Sequence, residues 1–179
     1  MAWKTALPDW LTASRALLAL VIPGLSLLGP RALRAVAFLL LLGWTTDLAD
    51  GRLARRWEKD PTWIGEREFH IDMMMVLASA MYLILTGLVS PVPSLAYLVV
   101  AAVISWTVRQ RSREFLRFKA VTMILAFPWV LMPFVVALWR DPVTVYVGVL
   151  WAAVAMAFDW RRFLGVVGDF LDGARSFLK

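Results

Sequence analysis

The chain has 179 residues, 61% of them hydrophobic, and a mean hydropathy of +0.71, a composition too apolar for a water-soluble globule. It contains no cysteine, which excludes disulfides and thiolate metal sites. The net charge is +6, but the cations gather at the ends of apolar segments, so membrane headgroups and not nucleic acid are the expected partner.

Length in such a chain counts membrane spans, and the expectation is one domain over residues 1–179. The fold class expected is an all-α integral membrane protein with six transmembrane helices and interfacial amphipathic segments at both termini. Met1 to Leu7, with Trp3 and Lys4, reads as a short interfacial segment. Pro8 opens the first apolar helix, which runs to about Gly29 with an interruption at Pro23 and Gly24. Its apolar run is too long for a cleavable signal. Within it Asp9 or Thr12 is a candidate N-cap, and Arg15, embedded among apolar residues, either snorkels to the surface or faces the bundle interior.

Gly29-Pro30 makes a turn, and a second helix runs from about Arg31 to Arg56. Residues 57 to 64 form a polar loop broken by Pro61, and the third helix takes Gly65 to Ser90. Pro91 and Pro93 turn the chain into a fourth helix from Leu95 to Arg111. Polar and basic residues from Arg109 to Lys119 connect it to a fifth, from Ala120 to Trp139, and a sixth ends near Asp159. The tail from Asp159 to Lys179 alternates apolar and charged residues, as an interfacial helix does.

Sixteen of the nineteen Lys and Arg residues fall on the side that holds both termini, leaving only Arg31, Arg34 and Arg140 on the other. The positive-inside rule puts the termini on the cytoplasmic face of a multi-pass cell-membrane protein.

The chemistry concentrates between Asp47 and Asp72. Asp47 and Asp50 lie three apart and Glu68 and Asp72 four apart, so on helices they form two same-face pairs. An uncharged run from Ala35 to Thr46 precedes the first pair, and another from Met73 to Pro93 follows the second. Carboxylates at the mouth of apolar helices need compensation, and four oxygen donors together call for Mg²⁺ or Mn²⁺; two ions would suit phosphoryl chemistry. Gly51 and Ala54 leave a side-chain-poor patch beside them, and Arg55 adds a fixed cation suited to a phosphate oxygen. His70, two residues from both Glu68 and Asp72, points off their face and reads as a packing or interfacial residue.

Written out, Asp47-x-x-Asp50-Gly51-x-x-Ala54-Arg55, nine residues, then Gly65-x-x-Glu68-x-x-x-Asp72 resembles the signature of the CDP-alcohol phosphotransferases. That pattern is D-x-x-D-G-x-x-A-R, eight residues, G-x-x-x-D-x-x-x-D. Here Ile64 stands at the place of the second glycine, which is displaced to Gly65, and Glu68 replaces an aspartate. The run from Pro8 to Arg15 also resembles the family's amino-terminal P-N-x-L-T-x-x-R, with Asp9 for the asparagine. Lys119-x-x-Thr122 resembles the basic G-K-x-K-T stretch of phosphatidylglycerophosphate synthases, with Phe118 and Val121 departing from it.

The resemblance implies a metal-dependent phosphatidyltransferase of phospholipid biosynthesis. It would move a phosphatidyl group from CDP-diacylglycerol to a small alcohol and release CMP, at the cytoplasmic face. Asp47, Asp50, Glu68 and Asp72 would ligate two Mg²⁺ or Mn²⁺ ions, and Asp72 would also serve as general base. Gly51, Ala54, Arg55 and Gly65 would bind the nucleotide. Arg109, Arg113 and Lys119 are candidates for an acceptor phosphate, with glycerol 3-phosphate preferred and inositol phosphate or serine open. A homodimer is implied. Two rival readings are a cation transporter, which the lack of an acidic relay through the helices opposes, and a silent relative that binds without turnover, which Ile64 and Glu68 encourage.

Overall fold

In hydrocarbon a backbone must satisfy its own polar groups, and long apolar runs do so as helices. The computed structural model describes residues 2–57, 62–111 and 115–158, with 160, 164 and 168, and among them there is no strand. Helix α1 is Ala2–Gly24, followed by a 3-10 segment Leu25–Ala32 and α2, Leu33–Arg56. A 3-10 turn Gly65–Arg67 leads into α3, Glu68–Leu85; then come α4, Pro91–Arg111, α5, Phe115–Arg140, and α6, Pro142–Phe158. Four stretches have the length and composition to cross a membrane: Ala6–Ala54, Glu68–Leu85, Pro91–Arg111 and Phe115–Arg140. The first is 49 residues long and takes in both α1 and α2, while Pro142–Phe158 is apolar but shorter. This is the architecture of a multi-pass membrane protein.

Several boundaries differ from those read in the sequence, each for a local reason. The amino-terminal residues from Ala2 are helical and Pro8 lies inside α1, so neither Asp9 nor Thr12 is an N-cap. Helix α1 stops at Gly24, and the reversal is made at Gly29, whose φ of 69° favours glycine. Helix α3 ends five residues before Ser90, in a Schellman turn: Gly87, at φ 68°, donates its N–H to the Ile84 carbonyl at 3.1 Å, and Leu88 donates to the Leu83 carbonyl at 3.0 Å. Pro91 starts α4 instead of turning the chain before it, because proline at a first helical position sacrifices no intrahelical bond. Residues 58–61, 112–114 and nearly all of the expected tail helix lie outside the described residues.

The core is built around α1, which packs on both α2 and α3. Ala19, Ile22, Val36, Leu40, Met75, Ala78, Tyr82 and Leu83 are buried there. Gly43 leaves room for the Met75 side chain, whose Cε would lie 2.5 Å from a Cβ added there. The buried Tyr82 donates its hydroxyl proton to the Gly29 carbonyl at 3.0 Å, tying the far end of α3 to the α1–α2 reversal. Large apolar side chains such as Leu17, Leu20, Val99, Val103 and Val149 face outward, which is the expected inversion for a bundle bathed in lipid.

At that same far end Arg34 of α2 meets Asp141, between α5 and α6, through two parallel bonds of 2.6 and 2.7 Å. Thr144 donates its hydroxyl to Asp141 at 2.6 Å. The hydrogen bonds from Arg34 and then Thr144 hold the Asp141 carboxyl below the usual carboxylate range. A lowered carboxyl stabilises the fold above its unfolded value and ceases to do so as pH falls through its folded one. Asp141→Asn should therefore lower the melting temperature of the detergent-solubilised protein at neutral pH, with the gap to wild type narrowing once the pH falls below about 4, the ordinary aspartate value.

Candidate active site

The carboxyl end of α2 and the amino end of α3 lie side by side against α1, and this brings the two acidic pairs to one place. Asp47 and Asp50 occupy the last three turns of α2, while Glu68 opens α3 and Asp72 follows one turn later. Asp50 is buried, Asp47 half-buried, and the side chains of Glu68 and Asp72 are 41% and 38% exposed, so the cluster opens on the α3 side. One carboxylate oxygen each from Asp47, Asp50 and Glu68 fall within 4.8 Å of one another.

At the centre of the four is Arg15 of α1, 1% exposed. Its Nη1 donates to Asp47 Oδ1 at 2.8 Å and to Asp72 Oδ1. Its Nη2 donates to Asp50 Oδ2 at 2.6 Å and approaches Glu68 Oε1 at 3.8 Å. Each terminal nitrogen thus joins one carboxylate of α2 to one of α3. Thr12, one turn before Arg15, has its hydroxyl 2.9 Å from Asp50 Oδ2 and accepts from Arg15 Nη2 at 3.4 Å. Of the two readings open for Arg15, the interior one holds, and it is a site residue that the acidic signature alone did not reveal. The signal that could have found it is the spacing Thr12-x-x-Arg15, which puts a hydroxyl and a guanidinium on one helix face in an apolar segment.

The other sequence candidates distribute as follows. Gly51 and Ala54 are half-buried on α2, and the side chain of Arg55 lies outside the described residues. Gly65 starts the 3-10 turn and donates its N–H to Thr62 Oγ1 at 3.2 Å, while Thr62 donates its hydroxyl to Asp9 Oδ1 at 2.7 Å. Asp9 therefore pins the loop before α3 to α1. Ile64 has φ −75° and ψ −46°, an ordinary right-handed conformation, which is why a β-branched residue is accommodated at a place where the signature carries glycine.

Arg109 lies 5.5 and 5.7 Å over the rings of Phe115 and Phe118, and Lys119 lies 5.9 Å from the ring of Phe69, the residue after Glu68. Both cations are exposed, and among the described residues neither forms an ion pair. A cleft of about 380 Å³ between α3, α4 and α5 is lined by Arg109, Trp106, Ser105, His70 and the two phenylalanines. Arg113 lies outside the described residues. Arg67 stacks on Trp63 at 3.8 Å, so it packs on its own loop.

The donor set fits a hard divalent cation. All the candidate ligands are carboxylate oxygens, the choice of Mg²⁺ and Mn²⁺, and Asp50 Oδ1 is buried with no hydrogen-bond partner. An orphaned anionic oxygen at this depth is costly, and a cation beside it removes the cost.

The family model of the CDP-alcohol phosphatidyltransferases matches residues 5–159. The chain belongs to that family and is a membrane transferase of CDP-alcohols, of a kind generally dependent on divalent metal. Neither the curated proteins nor the solved structures include a significant match.

Removing the Thr12 hydroxyl should leave a buried carboxylate oxygen and a guanidinium nitrogen short of a partner. Thr12→Val is expected to destabilise the protein by ~1–3 kcal/mol in thermal or denaturant unfolding, whereas Thr12→Ser should be close to wild type.

Proposed function

We propose that this protein transfers the phosphatidyl group of CDP-diacylglycerol to a small alcohol, with glycerol 3-phosphate the preferred acceptor, and releases CMP. The observation that carries the reading is the convergence of Asp47 and Asp50 from α2 with Glu68 and Asp72 from α3 on a single centre that opens to one side. Together with family membership over residues 5–159, it favours phosphoryl chemistry at that centre.

In this reading Asp47, Asp50, Glu68 and Asp72 hold two Mg²⁺ or Mn²⁺ ions. When bound, those ions supply charge neutralisation for the pyrophosphate and its leaving oxygen. The protein's own groups do the rest. Gly51 and Ala54 let the nucleotide approach the α2 backbone, with Arg55 and Gly65 completing its pocket. Asp72, more than a third exposed, is reachable by an acceptor hydroxyl. Its Oδ1 is turned into the cluster, toward Arg15 in this structure, which leaves Oδ2 to take the hydroxyl proton as the acceptor oxygen forms its bond to the lipid-side phosphorus and the bond to CMP breaks. Arg109 of α4 and Lys119 of α5, which lie over the rings of Phe118 and Phe69, would with Arg113 supply the cations that a phosphorylated acceptor needs.

The placement in the bilayer follows the same reading. The chain is taken as one domain over 1–179 that crosses six times, α1 and α2 making separate passes on either side of Gly29 and α6 crossing at 17 residues, about the shortest length that spans. The charge asymmetry supports cytoplasmic termini and a cytoplasmic site, where acyl chains stay in lipid and cytidine stays in water. A homodimer is the assembly the family resemblance implies.

The direct test is CMP release from CDP-diacylglycerol in detergent or vesicles, with Mg²⁺ or Mn²⁺ and a panel of acceptors; no release with any acceptor would rule the activity out. Asp72→Asn keeps the shape of the side chain but loses its capacity to accept the proton, so turnover should fall by ~10²–10⁴-fold while CDP-diacylglycerol still binds. Near-normal turnover in that variant would be incompatible with Asp72 as the base.

For orientation, a single cysteine at Thr62 should label with a membrane-impermeant thiol reagent only from the cytoplasmic side, and one at Ser90 only from the opposite side. The reverse pattern would invert the topology and remove the site from its substrate.

A further inference from the structure

Arg15 is the one cation inside the acidic cluster among the described residues, and its geometry is unusual for a permanent structural pair. Its Nη1 bridges Asp47 to Asp72 and its Nη2 bridges Asp50 toward Glu68, so the guanidinium lies between the α2 and the α3 carboxylates. Yet the network is incomplete. Arg15 Nε and Asp50 Oδ1 are both buried without partners, although a buried polar network that fixes a fold normally satisfies every member.

The charges are also unequal, since one guanidinium faces four carboxylates. An excess of carboxyl groups over cations is a setting that attracts further cations.

We infer that Arg15 is the resident counter-ion of the metal site, and that divalent cations bind by displacing its guanidinium from between the carboxylates. The inference rests on the reading of Asp47, Asp50, Glu68 and Asp72 as ligands. Carboxylate oxygens approach Mg²⁺ to ~2.0–2.1 Å, closer than they approach a guanidinium nitrogen. An ion held jointly by one α2 and one α3 carboxylate takes the position that Nη1 or Nη2 occupies, and the two positive centres cannot share it. Before ions arrive, Arg15 keeps four acids from driving α2 and α3 apart at an apolar depth. Once they arrive, the divalent charge does this better, and the unsatisfied Asp50 Oδ1 gains the partner it lacks. Arg15 thereby sets metal affinity as an internal competitor, a positioning role separate from any contact with substrate.

The test is Mn²⁺ titration of the full-length, detergent-solubilised protein without substrate. Free Mn²⁺ is read by electron paramagnetic resonance, and thermal unfolding is followed in parallel. Arg15→Met removes the competitor, so Mn²⁺ should bind at least ~10-fold tighter than to wild type, given that each charge-assisted bond lost is among the stronger kinds. The same variant should melt lower than wild type in chelator and gain more from Mn²⁺. Arg15→Lys keeps the charge on a single nitrogen that cannot bridge both carboxylate pairs, and its affinity should fall between the two. Millimolar guanidinium chloride, added to Arg15→Met, should weaken Mn²⁺ binding competitively while leaving wild type unaffected.

Affinity equal to or below that of wild type in either variant overturns the proposal, and Arg15→Lys carries the test if Arg15→Met fails to fold. If saturable Mn²⁺ binding is absent from wild type and variants alike, the metal reading of the cluster falls as well; saturable binding that is indifferent to Arg15 defeats this inference alone.

Discussion

A guanidinium buried among apolar helices loses several kcal/mol of hydration, roughly, and recovers it only through close, well-directed anions. Arg15 finds four of them, two from α2 and two from α3, and the rest of the site depends on that exchange. Conversely, none of the carboxylates would be tolerable so near the apolar core without a positive partner, Asp50 least of all because it is almost fully buried. Removing one partner of such a network costs far more than the pair contributes, since a lone charge is left behind. The site is therefore electrostatically coupled to the fold: α1, α2 and α3 are joined at one end by charge and along their length by apolar contact.

The opposite end of the same helices is fastened differently. There Tyr82 holds the Gly29 carbonyl, and Arg34 grips Asp141 through two parallel bonds. These contacts lie at turns where water or headgroups are available, so the Arg34–Asp141 pair is partly exposed and contributes less than the buried cluster. Between the two ends apolar side chains predominate among the described residues, with hydroxyls such as Ser79 and Thr45 donating back to their own helix carbonyls and the Trp151 indole of α6 donating to Thr45 at 2.8 Å. Membrane helices have no hydrophobic drive to associate in lipid, which makes polar ties and side-chain packing correspondingly important.

Much of the site was legible because its information is local. Same-face acidic pairs, the small residues beside them and the uncharged runs around them follow from helix periodicity and residue type, and the family signature in residues 47–72 could be read without any tertiary knowledge. The apolar segments were legible for the same reason, since composition alone separates membrane helices from soluble ones. Their ends were less so. Whether Pro8, Pro91 or Gly87 stops, starts or permits a helix depends on which backbone groups find partners, and proline inside α1 or at the head of α4 is compatible with either outcome until the neighbours are known.

The sequence by itself determined that this chain is helical, apolar and equipped with two pairs of carboxylates, because those properties reside in residue type and spacing. Only the tertiary structure decided that the pairs face each other and that Arg15, more than thirty residues away along the chain from the first of them, stands between them. Periodicity fixes which residues share a face of one helix but says nothing of which helix that face will meet. Likewise, Asp9 as the tether of the loop before α3, and the ordinary backbone that lets Ile64 replace a glycine, exist only once α1 lies beside that loop. Charge identity is written in the chain; charge compensation at low dielectric is a property of the packed bundle.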